Sequence, residues 1–182
     1  MIVLSGASAS GKTEVAKELK ASFGIDRVIT TTTRKRRKGE RNGRDYFFVN
    51  YNQFLEMINS DKFVEYTQYN DNFYGSTKDQ VRDNKCVVID PAGLKSYSSL
   101  KSTNENVVTF FLDCKEKVRY ERMLQRGDSL EDAAKRILND KTAFKRSNLC
   151  EVDLTINTEV FSVKEVAKKI YDFYISKINL NK

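Results

Sequence analysis

Apolar and polar positions along the chain follow two periods, one typical of strands and one typical of helices. Residues 1–5 form an apolar run that ends at Gly6, which is typical of a buried parallel strand. After a turn rich in Gly and Ser, apolar residues recur at helical spacing over residues 13–22 and predict an amphipathic helix. The chain therefore opens with a strand, a loop and a helix.

The same periods continue to the end of the chain. Further strands are predicted at residues 28–33, 46–49, 63–69, 85–90, 107–112 and 152–156. Further helices are predicted at residues 53–59, 115–126 and 133–146 and from residue 163 onward, where an apolar stripe indicates core packing. Because strands 85–90 and 107–112 are each followed by a helical pattern, we predict a parallel sheet wrapped by helices.

Composition narrows the classes of protein to consider. The chain has 182 residues, of which 40% are hydrophobic, and this suits one compact domain. It contains no His, which excludes a Cys/His zinc site and a hydrolase that relies on histidine. A formal charge of +7 predicts an anionic partner, which on charge alone could be a nucleotide, a nucleic acid or a lipid.

The cysteines and the hydropathy bear on location. Cys86, Cys114 and Cys150 are odd in number and well separated, and no signal-peptide pattern precedes them. This favours reduced thiols and a cytoplasmic protein. No apolar run approaches the roughly 18 residues that span a bilayer, so no membrane association is expected.

The turn after the first strand matches the pattern G-x-x-x-x-G-K-[ST]. It consists of Gly6, Ala7, Ser8, Ala9, Ser10, Gly11, Lys12 and Thr13. Such a loop between a strand and a helix directs backbone N–H groups at phosphate, with Lys12 reaching the β and γ phosphates and Thr13 ligating Mg²⁺. The alternative is a Gly/Ser turn with an exposed lysine, and the strand and helix around it favour the phosphate loop. A nucleotide such as ATP is therefore expected, but ATPases, GTPases and small-molecule kinases share this loop.

Residues 30–46 carry the densest positive charge. Taken on spacing alone, this stretch could be a solvated charge run, a nuclear-localisation segment or a nucleic-acid patch. It is interrupted by Gly39, Gly43 and Tyr46 and is preceded by threonines. A simple basic run would lack these features.

This stretch resembles the guanylate kinase signature T-T-R-x-x-R-x-G-E-x-x-G-x-D-Y-x-F-V. The matching residues are Thr32, Thr33, Arg34, Arg37, Gly39, Glu40, Gly43, Asp45, Tyr46, Phe48 and Val49. The resemblance continues through residues 63–65 and 74–77 and covers nearly the whole chain. It implies an α/β, three-layer P-loop kinase fold with a parallel central sheet, an inserted NMP-binding subdomain and a lid. The core would comprise residues 1–29, 83–121 and 146–182, the NMP-binding subdomain residues 30–82, and the lid residues 122–145.

The resemblance also implies roles for individual residues. The acceptor nucleotide GMP would be held by Thr30, Arg34, Arg37, Tyr46, Glu65, Tyr74, Gly75, Ser76 and Asp90. Among these, the two arginines and two tyrosines would bind its phosphate, because guanidinium groups form bidentate bonds to phosphate oxygens. Glu65 would accept the guanine N1–H and amine, with Thr30 and Ser76 on the O6 side; without the resemblance, Glu65 reads as a surface strand acid.

Three arginines correspond to the lid of these kinases. Arg122, Arg126 and Arg136 would act with Lys12 on the negative charge that spreads over the transferring phosphoryl group, a reaction that requires no histidine. Without the resemblance, this part of the chain reads as an ordinary basic helix. Arg119 shares the same helix face but matches no position of the family pattern.

The chain departs from the family pattern in three places. Val88 replaces an acid at the end of a strand, which leaves Asp90 as the candidate for organising Mg²⁺. Arg36 replaces a proline between the two phosphate arginines, and the spacing from Arg126 to Arg136 is about one residue short. Further on, Asn157 matches the family's contact to the ATP base.

The resemblance implies ATP-dependent phosphorylation of GMP and dGMP with Mg²⁺, and no nucleic-acid partner. One alternative is a related kinase that acts on another deoxynucleotide or on a phosphorylated sugar, which Val88 leaves open. A second is a non-catalytic guanylate-kinase-like module, which would have no need of the phosphate loop and lid arginines. A third is a basic ATPase that binds nucleic acid, which would show a steep salt dependence.

Overall fold

The computed structural model of the chain describes residues 1–36, 38–69, 71–103 and 106–180. Its strands are β1 (Ile2–Ser5), β2 (Asp26–Arg27), β3 (Thr31–Thr32), β4 (Phe47–Phe48), β5 (Phe63–Tyr69), β6 (Asn72–Thr77), β7 (Lys85–Val88), β8 (Val108–Asp113) and β9 (Leu154–Asn157). Its α-helices are α1 (Lys12–Phe23), α2 (Tyr51–Asn59), α3 (Pro91–Ser99), α4 (Glu116–Gln125), α5 (Leu130–Ala143) and α6 (Val163–Leu180).

A five-stranded parallel sheet forms the centre of the molecule, in the order β2-β7-β1-β8-β9. Strand β1 lies in the middle, with Leu4 in register with Val88 on one side and Phe110 on the other. All four of its residues are buried, as its continuous apolar sequence predicts. The loop after β1 therefore emerges at the centre of the sheet's carboxyl edge, where ligands bind in open α/β sheets.

The side chains of β1 alternate between two hydrophobic layers. Ile2 and Leu4 pack with residues of α1 and α6, whereas Val3 packs with Leu94 and Tyr97 of α3 on the other face. Burying each such side chain contributes about 1.5–3 kcal/mol. Helices cover both faces of the sheet, so the three-layer α/β fold with a parallel central sheet is confirmed. The stripe on α6 packs in the core from Val166 onward, whereas Val163 at its start is exposed.

A second, smaller sheet has the order β4-β3-β6-β5 and mixes parallel and antiparallel pairs. Phe54 of α2 lies under it and stacks on Phe63 and Phe73, with ring centroids 4.5 and 5.2 Å apart. This aromatic cluster packs α2 against β5 and β6.

Several predicted boundaries are wrong. The strand predicted at 28–33 is only Thr31–Thr32, since β2 forms earlier, and the strand predicted at 46–49 is only Phe47–Phe48. The helix predicted at 133–146 begins at Leu130, because the hydroxyl of Ser129 caps it by accepting the N–H of Asp132 at 3.0 Å.

Strand β6 was not among the predicted elements, although its sequence lies within the family resemblance. Among the described residues, no helix is both long enough and apolar enough to cross a membrane.

Candidate functional site

The loop between β1 and α1 has the backbone of a phosphate cradle. Gly6 has a φ of +152°, and a Cβ there would lie 2.6 Å from the carbonyl oxygen of Leu112, so no side chain fits. Gly11 adopts a left-handed conformation as the N-cap of α1, which turns the first N–H groups of that helix toward the loop. The two glycines of the motif thus meet separate requirements, one of space and one of backbone angle.

Lys12 bends back over the loop that precedes it. Its Nζ donates to the carbonyl oxygens of Gly6 and Ala7, the second at 2.8 Å. Burial lowers the pKa of Lys12 to about 8, while the nearby carboxylate of Asp140 acts in the opposite direction. A phosphate in the loop would offer this ammonium group a stronger partner than neutral carbonyls.

A cavity of about 520 Å³ opens beside the loop, a volume within the range of small-ligand sites. Its lining residues are Ala9, Ser10, Gly11, Lys12, Thr13, Glu14, Val15, Arg122, Gln125, Arg126, Thr158, Phe161, Val163 and Val166. The wall is charged near the loop and apolar at the start of α6. This polarity suits a nucleotide whose phosphates lie at the loop and whose base lies toward α6.

Sequence reasoning missed the cavity wall near the start of α6. Asn157, the predicted base contact, is not among the lining residues; its Oδ1 accepts the N–H of Glu159 at 2.8 Å. Thr158 and Phe161 line the cavity instead, and the Nζ of Lys169 lies 4.4 Å from the ring centroid of Phe161. A signal for these residues was present in the sequence. They follow the last predicted strand, and ligands bind at the carboxyl ends of the strands in a parallel sheet.

The three arginines predicted to belong to a lid have different surroundings. Arg122 is half-buried at the cavity, where it donates to the carbonyl oxygens of Thr158 at 2.8 Å and Ala9 at 3.4 Å. Arg126 lines the cavity but forms a two-pronged ion pair with Asp128 at 2.6 and 3.0 Å. The Nε of Arg136 lies 3.5 Å from the same carboxylate, so Arg126 and Arg136 meet at Asp128, which sequence reasoning did not single out.

On the acceptor side, the structure brings together Arg34, Tyr46 and Tyr74. The guanidinium of Arg34 lies 5.2 Å from the ring centroid of Tyr46, and the rings of Tyr46 and Tyr74 are 6.2 Å apart. Arg34 also pairs with Glu40 at 2.7 Å. Arg37, predicted to bind the same phosphate, lies outside the described residues.

The predicted guanine reader stands on β5, opposite Ser76 of β6. Burial raises the pKa of Glu65, while hydrogen bonds from Ser76 lower it and the charge of Asp90 raises it further. Gly75 packs so closely that a Cβ there would lie 2.7 Å from the ring of Phe63. The backbone of β6 therefore has to approach the aromatic cluster closely for Ser76 to face Glu65. Thr30, the other predicted O6 contact, precedes β3, and its carbonyl oxygen accepts the N–H of Phe47 at 3.0 Å.

Two oxygen-bearing side chains at the carboxyl edge of the central sheet could hold Mg²⁺. Thr13 is exposed at the cavity, and Asp90 follows β7, the neighbour of β1. One carboxylate oxygen of Asp90 accepts the N–H of Gly93 at 2.8 Å and caps α3. No cluster of three or more His, Cys, Asp or Glu occurs in the part of the chain that the structure describes. A small number of protein ligands is enough for Mg²⁺, because the ion keeps several waters and takes other ligands from phosphate oxygens.

Comparisons with known proteins agree with this geometry. The family model for guanylate kinase matches residues 1–173. The guanylate kinase of Campylobacter jejuni strain RM1221 is 33% identical over 181 residues, with 93% of this chain and 86% of that protein covered. The guanylate kinase of Anaplasma phagocytophilum is 31% identical over 180 residues, with coverages of 93% and 83%.

Solved structures are similar as well. The crystal structure of guanylate kinase from Anaplasma phagocytophilum matches with a TM-score of 0.62 at 25% identity, covering 97% of this chain and 84% of that one. A gluconokinase from Sinorhizobium meliloti matches with a TM-score of 0.53 at 13% identity, covering 99% and 94%, and shares the fold. With the family model spanning nearly the whole chain, this protein belongs to the guanylate kinase family.

Proposed function

We propose that this chain transfers the γ-phosphoryl group of ATP to GMP, yielding ADP and GDP, and that dGMP is also an acceptor. One observation carries the proposal. Helix α3, which Asp90 caps, packs against β5, which bears Glu65, and β7 lies beside β1. Asp90 follows the strand beside β1, and its charge acts on Glu65, which supports a base site next to the phosphate loop, as transfer between two nucleotides requires.

The residues divide the work between donor and acceptor. The loop from Gly6 to Thr13 holds the donor phosphates, and Lys12 contacts the transferring group. Arg34, Tyr46 and Tyr74, together with Arg37, hold the acceptor phosphate. Thr30 and Ser76 address the O6 side of the base that Glu65 reads.

Transfer forms one bond and breaks another. An oxygen of the GMP phosphate attacks the γ-phosphorus, and the bond between that phosphorus and the bridging oxygen of ADP breaks. Lys12, Arg122, Arg126 and Arg136 stabilise the charge on the equatorial oxygens, so no general base is needed. For Arg126 and Arg136, this role requires that they exchange Asp128 for phosphate.

Mg²⁺ fits the residues at this edge. Thr13 would bind it directly and Asp90 directly or through water, and the ion would neutralise charge on the β and γ phosphates. We also propose a cytoplasmic location, supported by three free cysteines, and no nucleic-acid partner.

Release of ADP from MgATP tests the proposal when GMP, dGMP, AMP, CMP and dTMP are compared as acceptors. Turnover with GMP and dGMP well above that with the other three supports it. Equal turnover across the five acceptors, or ATP hydrolysis that ignores the acceptor, refutes it.

A further inference from the structure

Ser8 lies in the middle of the phosphate loop, and two residues with no role in the proposed transfer hold all of its backbone and side-chain polar groups. The carboxylate of Asp140, on α5, accepts the N–H of Ser8 at 2.9 Å and its hydroxyl at 3.0 Å. Arg119, on α4, donates to Asp140 at 2.6 Å and to the carbonyl oxygen of Ser8 at 3.4 Å. One ion pair thus connects both helices to the loop.

The charges of this pair have no evident purpose in packing. Asp140 and Arg119 are only 8% and 7% exposed, and Asp140 continues the apolar face of α5 formed by Ala133 and Ile137. Apolar side chains of similar size commonly replace a buried ion pair without loss of stability. What an apolar side chain cannot do here is accept the two hydrogen bonds from Ser8.

The same helices carry the arginines proposed to act on the transferring group. Arg119 precedes Arg122 by three residues on α4, and Asp140 follows Arg136 by four on α5. Both members of the ion pair therefore lie about one helical turn from one of those arginines. Arg122 itself reaches the carbonyl oxygen of Ala9, the next residue of the loop, at 3.4 Å. Fixing Ser8 therefore sets the distance between the loop and these arginines.

We propose that Arg119 and Asp140 are positioning residues that clamp the phosphate loop to α4 and α5 before the nucleotide arrives. The inference rests on the proposed binding of ATP by this loop. A preformed loop spares the nucleotide the cost of ordering it, so loss of the clamp weakens ATP binding. GMP, which binds at the second sheet, is unaffected.

Asp140→Asn tests the clamp with the smallest change in shape. The amide removes the negative charge that pairs with Arg119 and leaves a single acceptor oxygen for Ser8 and Arg119 to share, so we expect the KM for ATP to rise about tenfold. The dissociation constant for MgATP, measured by calorimetry without an acceptor, should rise by the same factor. The KM for GMP should change less than about twofold.

The chain offers a matched control in Asp153→Asn. Asp153 accepts the N–H and hydroxyl of Thr109 at 2.7 and 2.8 Å and pairs with Lys101 at 2.5 Å, which repeats the bonding pattern of Asp140. It lies near the opposite end of β8 from the phosphate loop. This variant should lose stability on heating and keep the affinity for MgATP of the unmodified protein.

The double variant Arg119→Met/Asp140→Leu separates positioning from stability. It should melt at or above the temperature of Asp140→Asn, because no charge is left buried and unpaired, yet its KM for ATP should remain raised since Ser8 is still released. If the double variant recovered both the melting temperature and the KM for ATP of the unmodified protein, the pair would have only a structural role and the proposal would be overturned. An Asp140→Asn enzyme that folds and binds MgATP normally would overturn it as well. If the unmodified protein fails to phosphorylate GMP, the proposed function is wrong. Calorimetry with MgATP, comparing the unmodified protein with Asp140→Asn, still tests the clamp in that case.

Discussion

Glu65→Gln is the most direct perturbation of base recognition. Glu65 is half-buried on β5 opposite Ser76, and burial raises its pKa. Glutamine has nearly the same size, so the packing of β5 and β6 is retained. The substitution replaces one carboxylate oxygen with an NH₂ group and removes the negative charge.

The size of the effect follows from hydrogen-bond counting. Guanine presents two donors, N1–H and the exocyclic amine, and the two carboxylate oxygens of Glu65 can accept both. The amide oxygen of glutamine accepts only one of these bonds. Its NH₂ group then faces the second guanine donor inside a half-buried site. Loss of a hydrogen bond to a charged group costs about 1.5–3 kcal/mol, which predicts a fall of about 10-fold to 150-fold in kcat/KM for GMP.

Initial rates of ADP release at saturating ATP, with GMP varied and AMP compared in parallel, measure this effect. The KM for ATP should be unchanged, since the donor cavity does not include Glu65. Discrimination against AMP should narrow, because an amide offers both a donor and an acceptor to the adenine edge. An unchanged kcat/KM for GMP in a folded variant would remove Glu65 from the base site.

Three further predictions concern Glu65, Gly75 and Lys12. Burial raises the pKa of Glu65, and in the proposed function its ionised form binds guanine, so kcat/KM for GMP should fall as pH is lowered through that raised pKa and stay level above it. A pH profile of Glu65→Gln with the same acidic limb would contradict this. Because the pKa of Glu65 is raised in the folded protein, the contribution of Glu65 to stability is present below its pKa in the unfolded chain. That contribution is lost as pH rises through its pKa in the folded protein. Gly75→Ala should destabilise the fold by about 1–3 kcal/mol in thermal melts, since its Cβ would lie 2.7 Å from Phe63, and an unchanged melting temperature would show that the cluster yields freely. Lys12→Ala should lower kcat by at least about 100-fold with an unchanged circular dichroism spectrum, and retained turnover would exclude Lys12 from the transfer.

The features that could be predicted from the sequence are those that local spacing determines. An apolar run, two glycines at a fixed interval and a lysine specify the strand, loop and helix from β1 to α1, and the structure forms them within a residue or two. The arrangement of Arg34 with Tyr46 could be anticipated only through the family pattern. Residues 30–48 contain only two short strands, β3 and β4, and strands of two residues are too short to show a period.

The features that were missed depend on contacts between distant parts of the chain. Asp140 meets Ser8 across 132 positions, and nothing near either residue indicates the other. A signal was present nonetheless, since an acid at the third position of an otherwise apolar helix face requires a buried partner. Arg119, on the preceding helix, shares a face with Arg122 and Arg126 but matches no position of the family pattern.

The excess of positive charge has a different meaning once these partners are known. Arg34 pairs with Glu40, Arg126 with Asp128 and Arg119 with Asp140, so each of these three arginines already has an acid as its partner. The first two pairs are partly exposed, and neither holds the phosphate loop, so a phosphate can replace the acid as the partner of the arginine. The third is buried and holds the loop itself. The acids therefore divide the arginines into those that can turn to a nucleotide and those that cannot, a distinction that net charge does not contain.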